Sequence, residues 1–284
     1  MFLLRIIAYT HIIVLLTIGF EASAQRKNDD PKHENHYRKV KAESPEFTIE
    51  ITEAHSQQEF TLVKMQITNK TDDFLYFKGA EPIFKYEFGE YHPTGGGGLF
   101  KGLNIVIDPH SSESQTLKVT GGNNFHVEKF SVLMDGFYRV SANGKVQEGE
   151  PFQLPPSVND FKAGSFSCNL DKIKKETKET SVTFKFQYQG TQMGILQPGK
   201  ITLKLENGQE YANDNRKERN QLLHSGENGK FNATFHVPGK VTDMQFANMQ
   251  LIWKSTFSES EMIKLEPLTI DLELDPGLTE GKNK

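Results

Sequence analysis

The chain has 284 residues and a formal net charge of −4. This balance does not favour a nucleic-acid-binding protein, which usually carries a clear basic excess. Hydrophobic residues make up 36% of the chain, a proportion that indicates a water-soluble protein rather than a bundle of membrane helices. The length would accommodate two domains of ordinary size.

The N-terminus has the three parts of an export signal. A charged residue, Arg5, precedes an apolar stretch from Ile6 to Phe20, and the small residues Ala22-Ser23-Ala24 follow. This order is typical of a secretory signal peptide, and the apolar stretch is shorter than the roughly 20 residues that span a bilayer. We therefore predict a signal peptide over residues 1–24 and a mature chain that is not inserted in a membrane. The protein is expected to be exported, to a periplasm or to the extracellular space.

Residues 25–42 are rich in charge and have no hydrophobic period. Such a composition buries too little apolar surface to offset the entropy lost on ordering, so a disordered charged arm is predicted. His33 and His36 stand in this arm among acidic residues. Metal ligation requires preorganised ligands, which a disordered arm does not supply. We predict no metal site and no cofactor.

From Glu46 onward the pattern changes to apolar alternation. In the first two segments the apolar residues fall at every second position: Phe47, Ile49 and Ile51, then Val63, Met65 and Ile67. A period of two predicts β-strands, and no window of helical length carries an apolar stripe. The predicted fold class is therefore all-β.

The chain contains an internal repeat. The segment Phe47-x-Ile49-x-Ile51 matches Phe166-x-Cys168-x-Leu170, and 166 minus 47 gives an offset of 119 residues. The same offset relates Val132-Leu133-Met134 to Leu251-Ile252-Trp253. Near the end of each copy, Glu150-Pro151-Phe152 resembles Glu266-Pro267-Leu268. An ordered series of matches indicates two copies of one structural unit.

Each copy contains about six or seven short strands separated by turn residues, a spacing typical of β-sandwiches. Consecutive prolines at Pro155 and Pro156 cannot continue a sheet, and they predict a linker. We place β-sandwich domains at residues 43–154 and 159–275, followed by a polar tail at 276–284.

The chain resembles the tandem immunoglobulin-like β-sandwich repeats of exported bacterial proteins. The resemblance is carried by the alternating opening strands and by Phe235-His236-Val237-Pro238, which precedes the strand Leu251-Ile252-Trp253. It implies two tandem immunoglobulin-like antiparallel sandwiches. Such repeats serve in adhesion, carbohydrate binding, assembly and spacing, so the resemblance implies no single activity.

No residue pattern predicts catalysis. The single cysteine, Cys168, stands at the repeat position of Ile49 and is expected to be a small buried hydrophobe. The four glycines at 95–98 lack the Gly-Lys-Ser/Thr ending of a phosphate-binding loop, and the nucleophile pattern G-x-S-x-G is absent. We therefore predict that the protein is not an enzyme.

An aromatic group in the first copy supports an alternative function, carbohydrate binding, because an aromatic strip on a sandwich can stack sugar rings. The group consists of Phe74, Tyr76, Phe77, Phe84, Tyr86, Phe88 and Tyr91. Five of these positions are aliphatic in the second copy: Met193, Ile195, Leu196, Leu203 and Leu205. Positions that accept aliphatic residues favour the protein core.

The leading interpretation is an exported, non-catalytic protein that acts in binding or envelope assembly through protein–protein contacts. Duplicated domains diverge in their loops, and a large divergence follows Tyr91. The first copy continues with four glycines and then Leu99 and Phe100, where the second has the charged stretch 212–220. Leu99 and Phe100 are the predicted partner-binding residues, and the partner is an unidentified protein or a glycan.

Overall fold

A computed structural model describes residues 32–96, 103–121, 124–215 and 217–283 of the chain. The predicted signal peptide and the predicted contact residues Leu99 and Phe100 lie outside these ranges. Strand accounts for 56% of the structure and helix for 4%, so the all-β prediction is confirmed. No helix within the described ranges is long and apolar enough to cross a membrane.

The elements follow the chain in this order. The strands are β1 (Asn35–His36), β2 (Lys41–Glu43), β3 (Phe47–Ser56), β4 (Phe60–Asn69), β5 (Phe74–Lys78), β6 (Ile83–Tyr86), β7 (Gly89–Tyr91), β8 (Gly95–Gly96), β9 (Asn104–Ile107), β10 (Ser112–Thr120), β11 (Lys129–Met134), β12 (Phe137–Val140), β13 (Lys145–Val146), β14 (Phe152–Leu154), β15 (Asp160–Ala163), β16 (Phe166–Lys175), β17 (Glu179–Tyr188), β18 (Met193–Leu196), β19 (Ile201–Leu205), β20 (Glu210–Ala212), β21 (Gln221–Leu223), β22 (Asn228–His236), β23 (Met249–Trp253), β24 (Phe257–Ser260), β25 (Met262–Lys264) and β26 (Leu268–Glu273). A 3₁₀ turn spans Pro198–Lys200, and a helix, α1, spans Pro276–Lys282.

The described strands form antiparallel sheets that divide into two units. The first unit has the orders β1-β3-β4-β10-β8, with β2 also on β3, then β26-β11-β6-β7 and β25-β12-β5-β9. The second unit has the orders β15-β16-β17-β22, β14-β23-β19-β20 and β13-β24-β18-β21. We use "first unit" and "second unit" for these two groups of sheets.

Each unit encloses its own apolar core, because alternate residues of its long strands point inward. Ile49 and Cys168 hold matching inward positions and are 0% and 3% exposed. A third buried cluster joins the two units, with Phe74 and Tyr138 from the first and Ile195 from the second. β5 is therefore buried on both faces, one against its own core and one against the second unit.

The two units repeat one strand order at nearly constant spacing. β3 begins at Phe47 and β16 at Phe166, which are 119 residues apart. The pairing register shifts just after Ile51 in β3 and just after Leu170 in β16, again at that offset. A register irregularity that recurs at the same position in both copies fits duplication of one ancestral unit.

The units exchange the strands that end each copy. β14, from the predicted domain 43–154, pairs with β23 of the second unit through Phe152 and Leu251. β26, from the predicted domain 159–275, pairs with β11 of the first unit through Leu272 and Phe130. Strand pairing therefore does not follow the predicted boundaries. The physical reason is that the two units pack face to face, so the short connection 141–144 carries the chain across the interface.

The described part of the predicted disordered arm, residues 32–42, is ordered, and the predicted polar tail contains a helix. Within the predicted disordered arm, 25–42, β1 and β2 both pair with β3, and Tyr37 is only 2% exposed. Helix α1 occupies most of the predicted polar tail, with the Asp275 side chain accepting a hydrogen bond from the Leu278 N–H at 3.0 Å. Main-chain pairing, the buried side chains of Asn35, His36 and Tyr37, and a hydrogen bond to α1 hold the arm, and none of these produces a hydrophobic period in the sequence.

Candidate functional site

The loop that carries the predicted contact residues Leu99 and Phe100 is described only where it begins and ends. Its first part is β8, which pairs with β10 at Leu117 and Lys118. Beyond the loop, β9 pairs with β5 in the sheet that faces the second unit. The assignment of Leu99 and Phe100 to partner binding stays a prediction.

The aromatic group of the first unit lies mostly in the protein core. Phe74, Phe77 and Phe84 are fully buried. Phe88 is the most exposed member of the group, and its ring is tilted by 59° against Tyr91. Buried rings cannot stack on a sugar, and two tilted rings do not make a flat platform. This group therefore gives the carbohydrate alternative no support.

Histidine and cysteine side chains are the first candidates for catalytic chemistry. His236 lies between Asp214 and Glu179, at 3.1 and 3.0 Å from its two ring nitrogens. A ring with both nitrogens engaged has none free to accept a proton from a nucleophile. Burial raises the pKa of the Cys168 thiol to about 12, which keeps it protonated and unreactive. Within the described ranges, no three His, Cys, Asp or Glu side chains converge as a metal site requires.

A surface groove of about 500 Å³ runs over β6, β11 and β26. Its polar side chains include Lys85, Lys129, Asp271 and Glu273. Lysines and carboxylates alternate there, and Lys85 also lies 3.4 Å from Glu90. The lining therefore mixes both signs of charge and does not indicate one class of ligand.

The two units differ at the end of their first long strand. In the first unit, β2 pairs with residues 48–50 of β3, and β1 pairs with His55 and Ser56. In the second unit, β15 pairs with residues 166–169 of β16, and the Leu170 N–H donates to the Asn159 carbonyl at 2.7 Å. In the part of the chain that the structure describes, no strand pairs with residues 172–175 on that side.

The missing strand changes the exposure of the residues beneath it. The Tyr37 N–H donates to the Ala54 carbonyl at 3.0 Å, and Ala54 is 2% exposed. The matching residue of the second unit is Ile173, since 173 minus 54 is 119, and it is 37% exposed. Ala54 pairs with Val63 of β4, and Ile173 pairs with Val182 of β17 in the same antiparallel register. The backbone groups of Ile173 therefore point toward the position that β1 fills in the first unit.

A second apolar residue is exposed close to this strand. The Tyr37 hydroxyl donates to the Val127 carbonyl at 2.8 Å in the first unit. Phe246 follows Val127 by 119 residues and is 78% exposed. The neighbouring Ala247 carbonyl accepts a hydrogen bond from the Lys175 Nζ at 2.9 Å, which holds this loop against β16. We name residues 172–175 together with Phe246 the open edge.

Lysines dominate the charge of the open edge. Residues 172–178 contain four lysines and one acidic residue, Glu176. Lys174 lies 2.6 Å from Glu176, and partial burial lowers the pKa of Lys175. The edge thus combines unpaired backbone groups, two exposed apolar side chains and a net positive charge.

Comparisons with known proteins do not assign a family to this chain. No protein-family model and no curated protein matches the chain. A crystal structure of a conserved domain protein from Bacillus anthracis is similar at a TM-score of 0.24 and 10% identity, over 86% of this chain and 93% of that chain. The crystal structure of AerE from Microcystis aeruginosa gives a TM-score of 0.11 and 11% identity, over 82% and 99%. Scores this low do not establish a shared fold.

Sequence reasoning did not find the open edge. Ile173 stands alone among lysines, so it contributes to no apolar period. The available signal was the alignment of the copies, which places Ile173 on Ala54 at the offset of 119 residues. The alignment predicts an uncovered strand at Ile173 only when the structure shows that β1 covers Ala54.

Proposed function

We propose that this protein is an exported, non-catalytic protein that acts in binding or envelope assembly through protein–protein contacts. The observation that supports the proposal is the open edge of the second unit, which lacks the cover that β1 gives to the first. An exposed strand edge is a template on which another chain can add a strand.

Addition of a strand from a partner is compatible with the antiparallel sheets of this protein. Main-chain hydrogen bonds supply affinity for an extended segment, and alternate side chains of that segment supply specificity. The rest of the β-sandwich keeps the edge rigid, so little conformational entropy is lost on binding. The pairing of β1 with β3 is an intramolecular example of the same contact.

The class and the location are part of the proposal. Antiparallel sheets packed around two separate cores support the proposal that the units are immunoglobulin-like sandwiches. The tripartite sequence at 1–24 supports export. Both ring nitrogens of His236 are engaged and the Cys168 thiol is buried, and these two observations support a non-catalytic role.

A displayed library of short unstructured peptides, probed with the purified protein, tests the proposal. We expect binders that are lost in Ile173→Pro, because proline removes a backbone donor from the edge. Ile173→Thr is the matched control, since threonine keeps the donor and favours strands. Binding that persists in a folded Ile173→Pro variant, or a library without binders, would refute the proposal.

A further inference from the structure

We propose that the open edge binds an acidic, extended segment of a partner protein as an added antiparallel strand. This inference rests on the proposed function and adds the chemistry of the partner. The first unit supplies the geometry of the contact, and the lysines of the second unit supply its charge preference.

The geometry follows from the first unit. There Asn35 pairs with Ser56 and His36 with His55, in antiparallel register. Tyr37 comes next and fills the space over Ala54, where its ring lies 4.8 Å from that of Phe130. A segment bound in the same way to the second unit runs antiparallel to β16. It places one apolar side chain over Ile173 and beside Phe246.

The charge of the edge decides between occupants. A second copy would present either its own arm, which carries Lys32, Arg38 and Lys39, or its own open edge. Both are basic and would be repelled by Lys172 and Lys174, and lysines on edge strands are a known protection against self-pairing. An acidic segment is attracted instead, and the attraction both speeds association and selects the partner. The occupant that fits is therefore an acidic segment of another protein.

The chain offers a matched pair of charge variants. Lys172→Glu/Lys174→Glu reverses two charges on the open edge. Lys200→Glu/Lys217→Glu makes the same change in total charge at exposed positions away from β16. Any effect of net charge alone appears in both variants, and an effect of the edge appears only in the first.

The experiment measures binding of three synthetic peptides by fluorescence anisotropy. All three contain one tyrosine in an extended sequence, flanked by glutamates, by glutamines or by lysines. We expect the acidic peptide to bind about tenfold more tightly than the glutamine peptide at low salt, because several charge pairs act together. The advantage should disappear in Lys172→Glu/Lys174→Glu and persist in Lys200→Glu/Lys217→Glu.

Amide hydrogen exchange locates the bound peptide. The outward amides of Ile173 and Lys175 should exchange fast in the free protein and at least tenfold more slowly with the acidic peptide bound, whereas the amides of Lys172 and Lys174 face β17 and serve as protected references. Equal binding of the acidic and glutamine peptides, with both lost in Ile173→Pro, would overturn the acidic preference and leave the proposed function standing. Slow exchange at the amides of Ile173 and Lys175 in the free protein, with no peptide bound, would overturn both. In that case light scattering measures the molar mass, so that a dimer shows a second copy on the open edge and a monomer shows a segment of the same chain there.

Discussion

At the scale of single residues, Cys168 reports on the core of the second unit. Its side chain is 3% exposed and packs among the buried residues of that core. Burial raises the pKa of the thiol to about 12, so both access and thiolate are lacking at neutral pH. We expect no reaction with a thiol reagent in the native protein and complete reaction in denaturant. Native labelling as fast as denatured labelling would contradict the core position.

Cys168→Ala should lower the free energy of unfolding by about 1–3 kcal/mol. The estimate is below that of a Leu→Ala substitution, since a smaller group is removed. Denaturant melts of both proteins measure the difference. A loss near zero would show that the site collapses around the smaller side chain.

Phe246 and Met244 are a matched pair within one loop. Phe246 is 78% exposed, whereas Met244 is fully buried against the core of the second unit. We expect Phe246→Ser to change the free energy of unfolding by less than about 0.5 kcal/mol, while Met244→Ser lowers it by about 2 kcal/mol or more. Thermal melts check both. Equal destabilisation by the two variants would place Phe246 in the core and remove it from the open edge.

At the scale of elements, we expect the arm that carries β1 to be sensitive to pH. His36 is 5% exposed, and burial lowers its pKa from 6.5, helped by His55 and Lys282 and opposed by Glu34. Burial and His33 lower the pKa of His126 in the same way. The unfolded state then binds more protons than the folded state. Stability from the neutral rings is therefore present above pH 6.5 and is lost as the pH falls below it.

We expect the arm to loosen between about pH 6.5 and pH 5. The amides of β1 should show faster hydrogen exchange at about pH 5 than at neutral pH, after correction for intrinsic rates. β15 is the internal control, because it pairs with β16 and its residues 160–163 include no histidine. A parallel loss of protection in β15 would point to global unfolding instead.

Apolar alternation and the internal repeat made the positions of the strands predictable from the sequence. The pairing between strands was not predictable in this way. Residues such as Phe47 and Ile49 show their inward face directly in the sequence. β14 and β26 carry similar patterns, Phe152-x-Leu154 and Leu268-x-Ile270, so each fits the edge of β11 or β23 equally well by pattern. Exchange is decided by the interface between units, which depends on the three-dimensional position of residues such as Phe74. The order of the arm depends on pairing with β3, on the contact with α1 and on buried side chains such as Tyr37, none of which has periodic apolar neighbours.

At the scale of the whole molecule, reciprocal exchange makes the two units depend on each other. The first unit needs β26 from the end of the chain, and the second needs β14 from the middle. The buried cluster with Tyr76 and Met193 joins their faces, and the Tyr76 hydroxyl lies 3.2 Å from the His224 ring. Neither half of the chain contains all the strands of one unit, so neither half is expected to fold alone.

We therefore predict one cooperative unfolding transition. The only tryptophan, Trp253, lies in the second unit, and its ring N–H donates to the Glu150 carbonyl at 2.9 Å. Its fluorescence should change at the same denaturant concentration as the far-ultraviolet circular dichroism of all sheets, because coincident probes mark a two-state transition. Two separated transitions would show that the units unfold independently.

A pair of truncations locates the source of this coupling. Removing residues 262–284 deletes β25, β26 and α1, which uncovers Phe130 and Val132 in the first unit. Removing only 276–284 deletes α1, whose Thr279 hydroxyl accepts a hydrogen bond from the His36 N–H at 3.0 Å. We expect the longer truncation to shift the fluorescence transition of the distant Trp253 to lower denaturant, because the first unit no longer supports the shared interface. The shorter truncation should release the arm and leave that transition nearly unchanged, since β26 and the interface remain.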